Sequence, residues 1–148
     1  RHHRRSALDG LKSMIVVDTH LVSFLLVDGD RTADARRCYK RDDIWRMPPL
    51  WRSEMLNVLT AGVSAGTLSE GTAFKAWQNA RNLFGSNEHE PSGEAVLEAA
   101  LRDGLTAYEA QYVVAAEDLS TMLVTGNPRI AAARPDLAIT IGTFASGA

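Results

Sequence analysis

The apolar run Met14-Ile15-Val16-Val17 stops abruptly on Asp18, the pattern of a buried strand that delivers a carboxylate to its C-terminal end. A second run, Met122-Leu123-Val124, finishes on Thr125-Gly126-Asn127. Between them the spacing is helical. Thr19 is placed to cap a helix through Leu21, Val22, Phe24 and Leu25, before a turn at Asp28-Gly29-Asp30. A polar helix is expected over Thr32 to Arg41, and then a short strand Ile44-Trp45-Arg46-Met47 halted by Pro48-Pro49. Apolar positions at Trp51, Met55, Val58 and at Leu56, Leu59, Val63 predict a helix from Leu50 to about Val63, ending near Gly62 and Gly66. Ser69 opens the next helix, with Phe74, Trp77 and Leu83 expected inward. Asn87 to Glu90 reads as a brief edge strand. Pro91-Ser92 introduces a helix with Val96, Leu97, Ala100 and Leu101 on one side, ended by Gly104. A helix over Thr106 to Leu119, the Met122 strand, a short helix from Pro128 to Ala133 and a strand around Ala138 to Thr140 complete the order. Strands alternating with helices predict an α/β fold with a mostly parallel central sheet flanked by helices, whose ligand edge lies at the C-terminal ends of the strands.

Composition bounds this picture without redirecting it. A length of 148 residues fits one domain. Residues 1–13 lack periodicity and read as a tag or upstream leader, leaving 14–148 as the domain. Taking Arg1, Arg4, Arg5 and Lys12 from the 16 basic residues and Asp9 from the 18 acidic ones leaves 12 against 17. An acidic domain argues against a broad electrostatic nucleic-acid binder, although a local basic groove, a metal or a basic partner compensates for such a balance. The lone Cys38 excludes an intrachain disulfide, and no apolar stretch approaches the roughly 20 residues of a membrane span. A cytoplasmic protein with no membrane association is expected.

Four polar positions stand out, each with a structural alternative. Asp18 is either a rim carboxylate in need of a cation or the cap of the next helix. Glu54 shares a helix face with Asn57, one turn on, or is a solvated glutamate paired with Arg52 or another neighbour. Thr106-x-x-Glu109 is a capping box, and Asn127-Pro128 is a favoured N-cap followed by a favoured first helical residue. Taken together, these oxygen-bearing residues form a set suited to a hard divalent cation such as Mg²⁺ or Mn²⁺.

The ordered blocks carry a resemblance. Val16-Val17-Asp18-Thr19-His20, Pro48-Pro49-Leu50-Trp51-Arg52-Ser53-Glu54-Met55-Leu56-Asn57, Thr106-Ala107-Tyr108-Glu109-Ala110-Gln111-Tyr112 and Leu123-Val124-Thr125-Gly126-Asn127 resemble, in order and over nearly the whole of 14–148, the motifs of PIN-domain ribonucleases of the VapC toxin type. The resemblance implies a three-layer, Rossmann-like PIN fold and metal-activated water hydrolysing RNA phosphodiesters. It also implies a cognate antitoxin and a homodimer. By it, Asp18, Glu54, Glu109 and Asn127 make up the Mg²⁺ or Mn²⁺ site, and Thr125 lends its hydroxyl. Four positions depart from the family pattern: Glu109 stands for Asp, Asn127 for Asp, His20 for Asn and Gln111 for Glu. They define the alternative, a degenerate PIN domain that retains antitoxin or partner binding with little or no nuclease activity. A phosphotransfer receiver is disfavoured because no acid adjoins Asp18. His20 reads as an ordinary residue of the first helical turn. Arg52 and Arg129 stand either on RNA phosphates or on neighbouring carboxylates. Trp45, Trp51 and Trp77 are read as core.

Overall fold

The computed structural model describes residues 13–147, so all of the expected leader but Ser13 lies outside the described residues. The elements run β1 (Ile15–Val17), α1 (Thr19–Leu26), α2 (Thr32–Arg41), β2 (Trp45–Arg46), α3 (Leu50–Ser64), α4 (Glu70–Phe84), α5 (Gly93–Asp103), α6 (Ala107–Asp118), β3 (Leu123–Thr125), α7 (Pro128–Ala133), β4 (Ala138–Thr140) and α8 (Ile141–Ser146). The four strands are parallel, in the order β2-β1-β3-β4. Strand alternation divides the interior in two. Ile15, Val17 and Val124 face one core with Trp45, Trp51, Met55 and Phe84, whereas Val16, Leu123 and Ala138 face the other with Tyr112, Val113 and Ile130. Helices therefore cover both faces of the sheet, as the strand and helix patterns predict. Among the described residues, no helix is long and apolar enough to cross a membrane.

The short β2 is extended by a strap. Met47 forms an isolated parallel bridge with Glu88, in place of the edge strand expected over Asn87 to Glu90. Met47 donates its N–H to the Asn87 carbonyl at 3.4 Å and accepts from the His89 N–H at 2.9 Å. Arg46 Nε adds a bond to the Asn87 carbonyl, and Glu88 accepts from Trp51 Nε1 and Arg52 Nε. Arg52 is thus an anchor of this strap and not the partner of Glu54.

Two helices are rotated from their expected phase. In α4 the buried positions are Ala76, Ala80 and Phe84, while Phe74 is 67% exposed, Leu83 faces outward and Trp77 is half-buried. In α5 the buried stripe is Val96, Ala99 and Ala100, so Leu97 and Leu101 face outward. The reason is close packing: Ala99 and Ala100 meet Ala110 and Val114 of α6, and small side chains let two helices approach. Of the three tryptophans, Trp45 and Trp51 are fully buried. Gly62 lies inside α3 and does not end it. The final helix α8 carries no strong signal in the sequence.

Candidate active site

The sheet order reverses direction between β1 and β3, because β2 lies on one side of this pair and β4 on the other. This is the topological switch point at which open α/β sheets bind ligands. Val17 pairs with Val124, so Asp18 and Thr125 emerge side by side at the C-terminal edge. Asp18 occupies the N-cap position of α1 but makes no side-chain cap bond. Its carboxylate turns across the sheet instead. Oδ2 accepts from the Thr125 hydroxyl at 2.5 Å and the Gly126 N–H at 3.1 Å, while the Thr125 hydroxyl oxygen accepts from the Asn127 N–H. The other oxygen, Oδ1, is buried and has no hydrogen-bond partner among the described residues. Removing a carboxylate oxygen from water without compensation is costly.

Glu54 projects from α3 toward the same place. Its Oε1 accepts from the Thr19 hydroxyl at 2.9 Å and from the Tyr112 hydroxyl at 2.5 Å, and these two hydroxyls lie 3.0 Å apart. Two hydroxyl protons serve three contacts, and the carboxylate, as the strongest acceptor, takes both. Burial and the neighbouring Glu54 charge push the Tyr112 phenol far up, so it remains a donor. Tyr112 carries no chemical signal of its own in the sequence. Its one local signal is position, three residues after Glu109 and hence on the same face of α6.

Glu109 and Asn127 form the other side. Thr106 and Glu109 complete a capping box, and Asn127 caps α7 by accepting from the Arg129 N–H. Glu109 is bonded further: Oε2 accepts from Asn127 Nδ2 at 2.8 Å and from Arg129 Nε at 3.2 Å. Burial, the largest single influence, pushes its carboxyl up. The Thr106 amide, Asn127 and Arg129 together outweigh it and hold Glu109 below the usual carboxylate range. Arg129 therefore stands on a carboxylate, the second of its two expected placements.

Asp18, Glu54, Glu109 and Asn127 all line one cleft of about 270 Å³, together with Thr19, His20, Asn57 and Tyr112. Thr125 supports it from behind, through Asp18. His20 reaches the cleft as well, its Nδ1 standing 3.4 Å from Asp18 Oδ2. The Asp18 contact raises the imidazole above its ordinary pKa against the opposing effect of burial. Gly126 makes that contact possible, since a Cβ there would sit 2.7 Å from the His20 Cβ. The donor set suits a hard cation on the Asp18 and Glu54 side, where Asp18 Oδ1 has no competing partner among the described residues. No group of three or more His, Cys, Asp or Glu side chains among the described residues is gathered as a metal-ligand set. Glu109, the third acid, is engaged with its own helix cap and Arg129.

No family model and no curated protein matches the chain. Among solved structures, the chain is similar to the crystal structure of PAE2754 from Pyrobaculum aerophilum, with a TM-score of 0.72 and 22% identity over 91% of this chain and 97% of that one. The two chains share the fold.

Proposed function

We propose that this protein is a divalent-metal-dependent endoribonuclease of the VapC toxin type, acting on RNA with Mg²⁺ or Mn²⁺ in the Asp18 cleft. One observation carries the reading: a buried, unpartnered carboxylate oxygen at the sheet switch point, in a cleft shared with a second carboxylate. The ordered sequence blocks around Asp18, Glu54, Glu109 and Asn127 support it. Bound there, the ion would supply Lewis-acid stabilisation of phosphoryl charge and make water easier to deprotonate. The residues do the positioning. Thr125 and Gly126 fix Asp18, while Thr19 and Tyr112 fix Glu54. Arg129 bonds Glu109 and offsets its charge at that side of the cleft. A toxin of this type pairs with a cognate antitoxin and acts as a homodimer, and both belong to the proposal.

Calorimetric Mn²⁺ titration and RNA cleavage test it. Wild type is expected to bind Mn²⁺ and cut RNA, and Asp18→Ala to do neither. Absence of Mn²⁺ binding in wild type overturns the reading. A second reading, a degenerate domain that retains partner binding, is favoured by the engagement of Glu109 and Asn127 with each other and with Arg129. Cleavage created by Asn127→Asp and absent from wild type would establish it; equal cleavage by both proteins would remove it.

A further inference from the structure

Beside the cleft lies a depression of about 430 Å³, within the size range of small-ligand pockets. The two share Ser23 and Val58 as a common wall. Phe24 and Arg31 line the depression, and the Arg31 guanidinium lies 5.1 Å over the Phe24 ring. Phe24 follows His20 by one turn of α1, with the ring centroids 6.2 Å apart, so a single helical step leads from the carboxylate cleft to the aromatic floor. Arg31 is held only loosely by acid, Asp34 Oδ2 lying 3.9 Å away, and its side chain is about half exposed. Asp28 and Asp30 stand in the lining. Asp28 meets Arg36 at 3.8 Å, whereas the exposed Asp30 carboxylate makes no hydrogen bond or ion pair among the described residues.

This chemistry suits a base better than a phosphate. Two carboxylates repel phosphate, while a half-exposed guanidinium backed by an aromatic ring offers its outer side to an unpaired base. A carboxylate beside that guanidinium selects a base edge rich in donors. Guanine offers two adjacent donors, N1–H and the 2-amino group, to the two oxygens of one carboxylate; uracil and cytosine offer one donor group each. We propose that the Phe24–Arg31 depression is a subsite for one unpaired RNA base next to the phosphate held in the Asp18 cleft, and that Asp30 makes it prefer guanine. This rests on the endoribonuclease reading and narrows its substrate to single-stranded RNA.

The test is fluorescence anisotropy in Mn²⁺, which fills the carboxylate cleft, with short labelled oligouridines, phosphorothioate-linked to slow cleavage, carrying one central guanosine or one central adenosine. Wild type is expected to bind the guanosine oligomer about tenfold more tightly, and Phe24→Leu to lose about tenfold for both oligomers. Asp30→Asn, an exposed change that leaves packing alone, is expected to erase the guanosine preference. Equal binding of both oligomers by wild type, no measurable binding, or variants that bind as wild type would overturn the subsite. Cleavage separates the two claims. If Asp18→Ala abolishes cleavage while Phe24→Leu and Asp30→Asn bind as wild type, the nuclease stands and the subsite falls. A guanosine preference lost in Asp30→Asn, with no cleavage under Mn²⁺, leaves the subsite and removes the nuclease.

Discussion

Tyr112 is one of two residues that orient Glu54. It reaches Glu54 across 58 positions of sequence and supplies one of the two hydroxyl protons on Oε1. Tyr112→Phe keeps the ring and removes that proton, leaving Thr19 alone to hold the carboxylate. Mn²⁺ affinity is expected to fall about tenfold by calorimetry, as for other groups that orient a ligand, with a stability loss of only about 1 kcal/mol in a denaturant melt. Equal Mn²⁺ affinity would show that Glu54 needs no clamp. At this scale the sequence was legible where a signal is local. Thr106-x-x-Glu109 and Asn127-Pro128 predict capping, and both caps are present. The alternatives for Asp18 and Glu54 turn on long-range partners: Asp18 makes no cap bond because Thr125 takes its carboxylate, and Arg52 leaves Glu54 for Glu88. No spacing rule encodes such pairings.

Among the elements, α6 does two tasks at once, burying Tyr112 and Val113 under the sheet and presenting Glu109 from its first turn. Its capping box binds these tasks together. Thr106→Ala is expected to cost about 1 kcal/mol, measured as a lowered urea midpoint with an unchanged m-value. A changed m-value would mean that α6 frays well beyond its first turn. The periodicity located α3, α6 and α7 to within a residue or two, because their apolar and capping signals agree. The facing of α4 and α5 departs from the periodicity. There alanines do the packing, and large residues such as Phe74 and Leu101 are left outside, so ranking positions by side-chain size points to the wrong stripe.

For the molecule as a whole, two devices hold the layers in register: the parallel order β2-β1-β3-β4 and an ion network across α5, α6 and the residue after α7. Arg134 bonds Glu117 at 2.7 Å and Asp103 at 3.3 Å, and Arg102 bonds Asp103. The Arg102 hydrogen bond, foremost, holds the Asp103 carboxyl below its ordinary value despite burial. The native state therefore gives up this proton site more readily than the unfolded chain, which binds more protons in acid. Asp103 thus contributes stability above its unfolded value, about 4, and that contribution is lost as the pH falls through the folded value. Asp103→Asn is expected to lower stability at neutral pH by about 1.5–3 kcal/mol and to flatten the acid limb of a melting-temperature profile. An unchanged acid limb would show that other carboxylates govern it.

The strap on β2 bears on how copies of this chain can meet. With both backbone groups of Met47 satisfied by Asn87 and His89, and Arg46 reaching over the same segment, that border of the sheet has little left to template an incoming strand. Strand addition at Met47 is thereby disfavoured. Arg52→Ala, which releases Glu88 from the strap, is expected to raise light scattering at temperatures below the melting midpoint, and unchanged scattering would show that the strap holds without the pair.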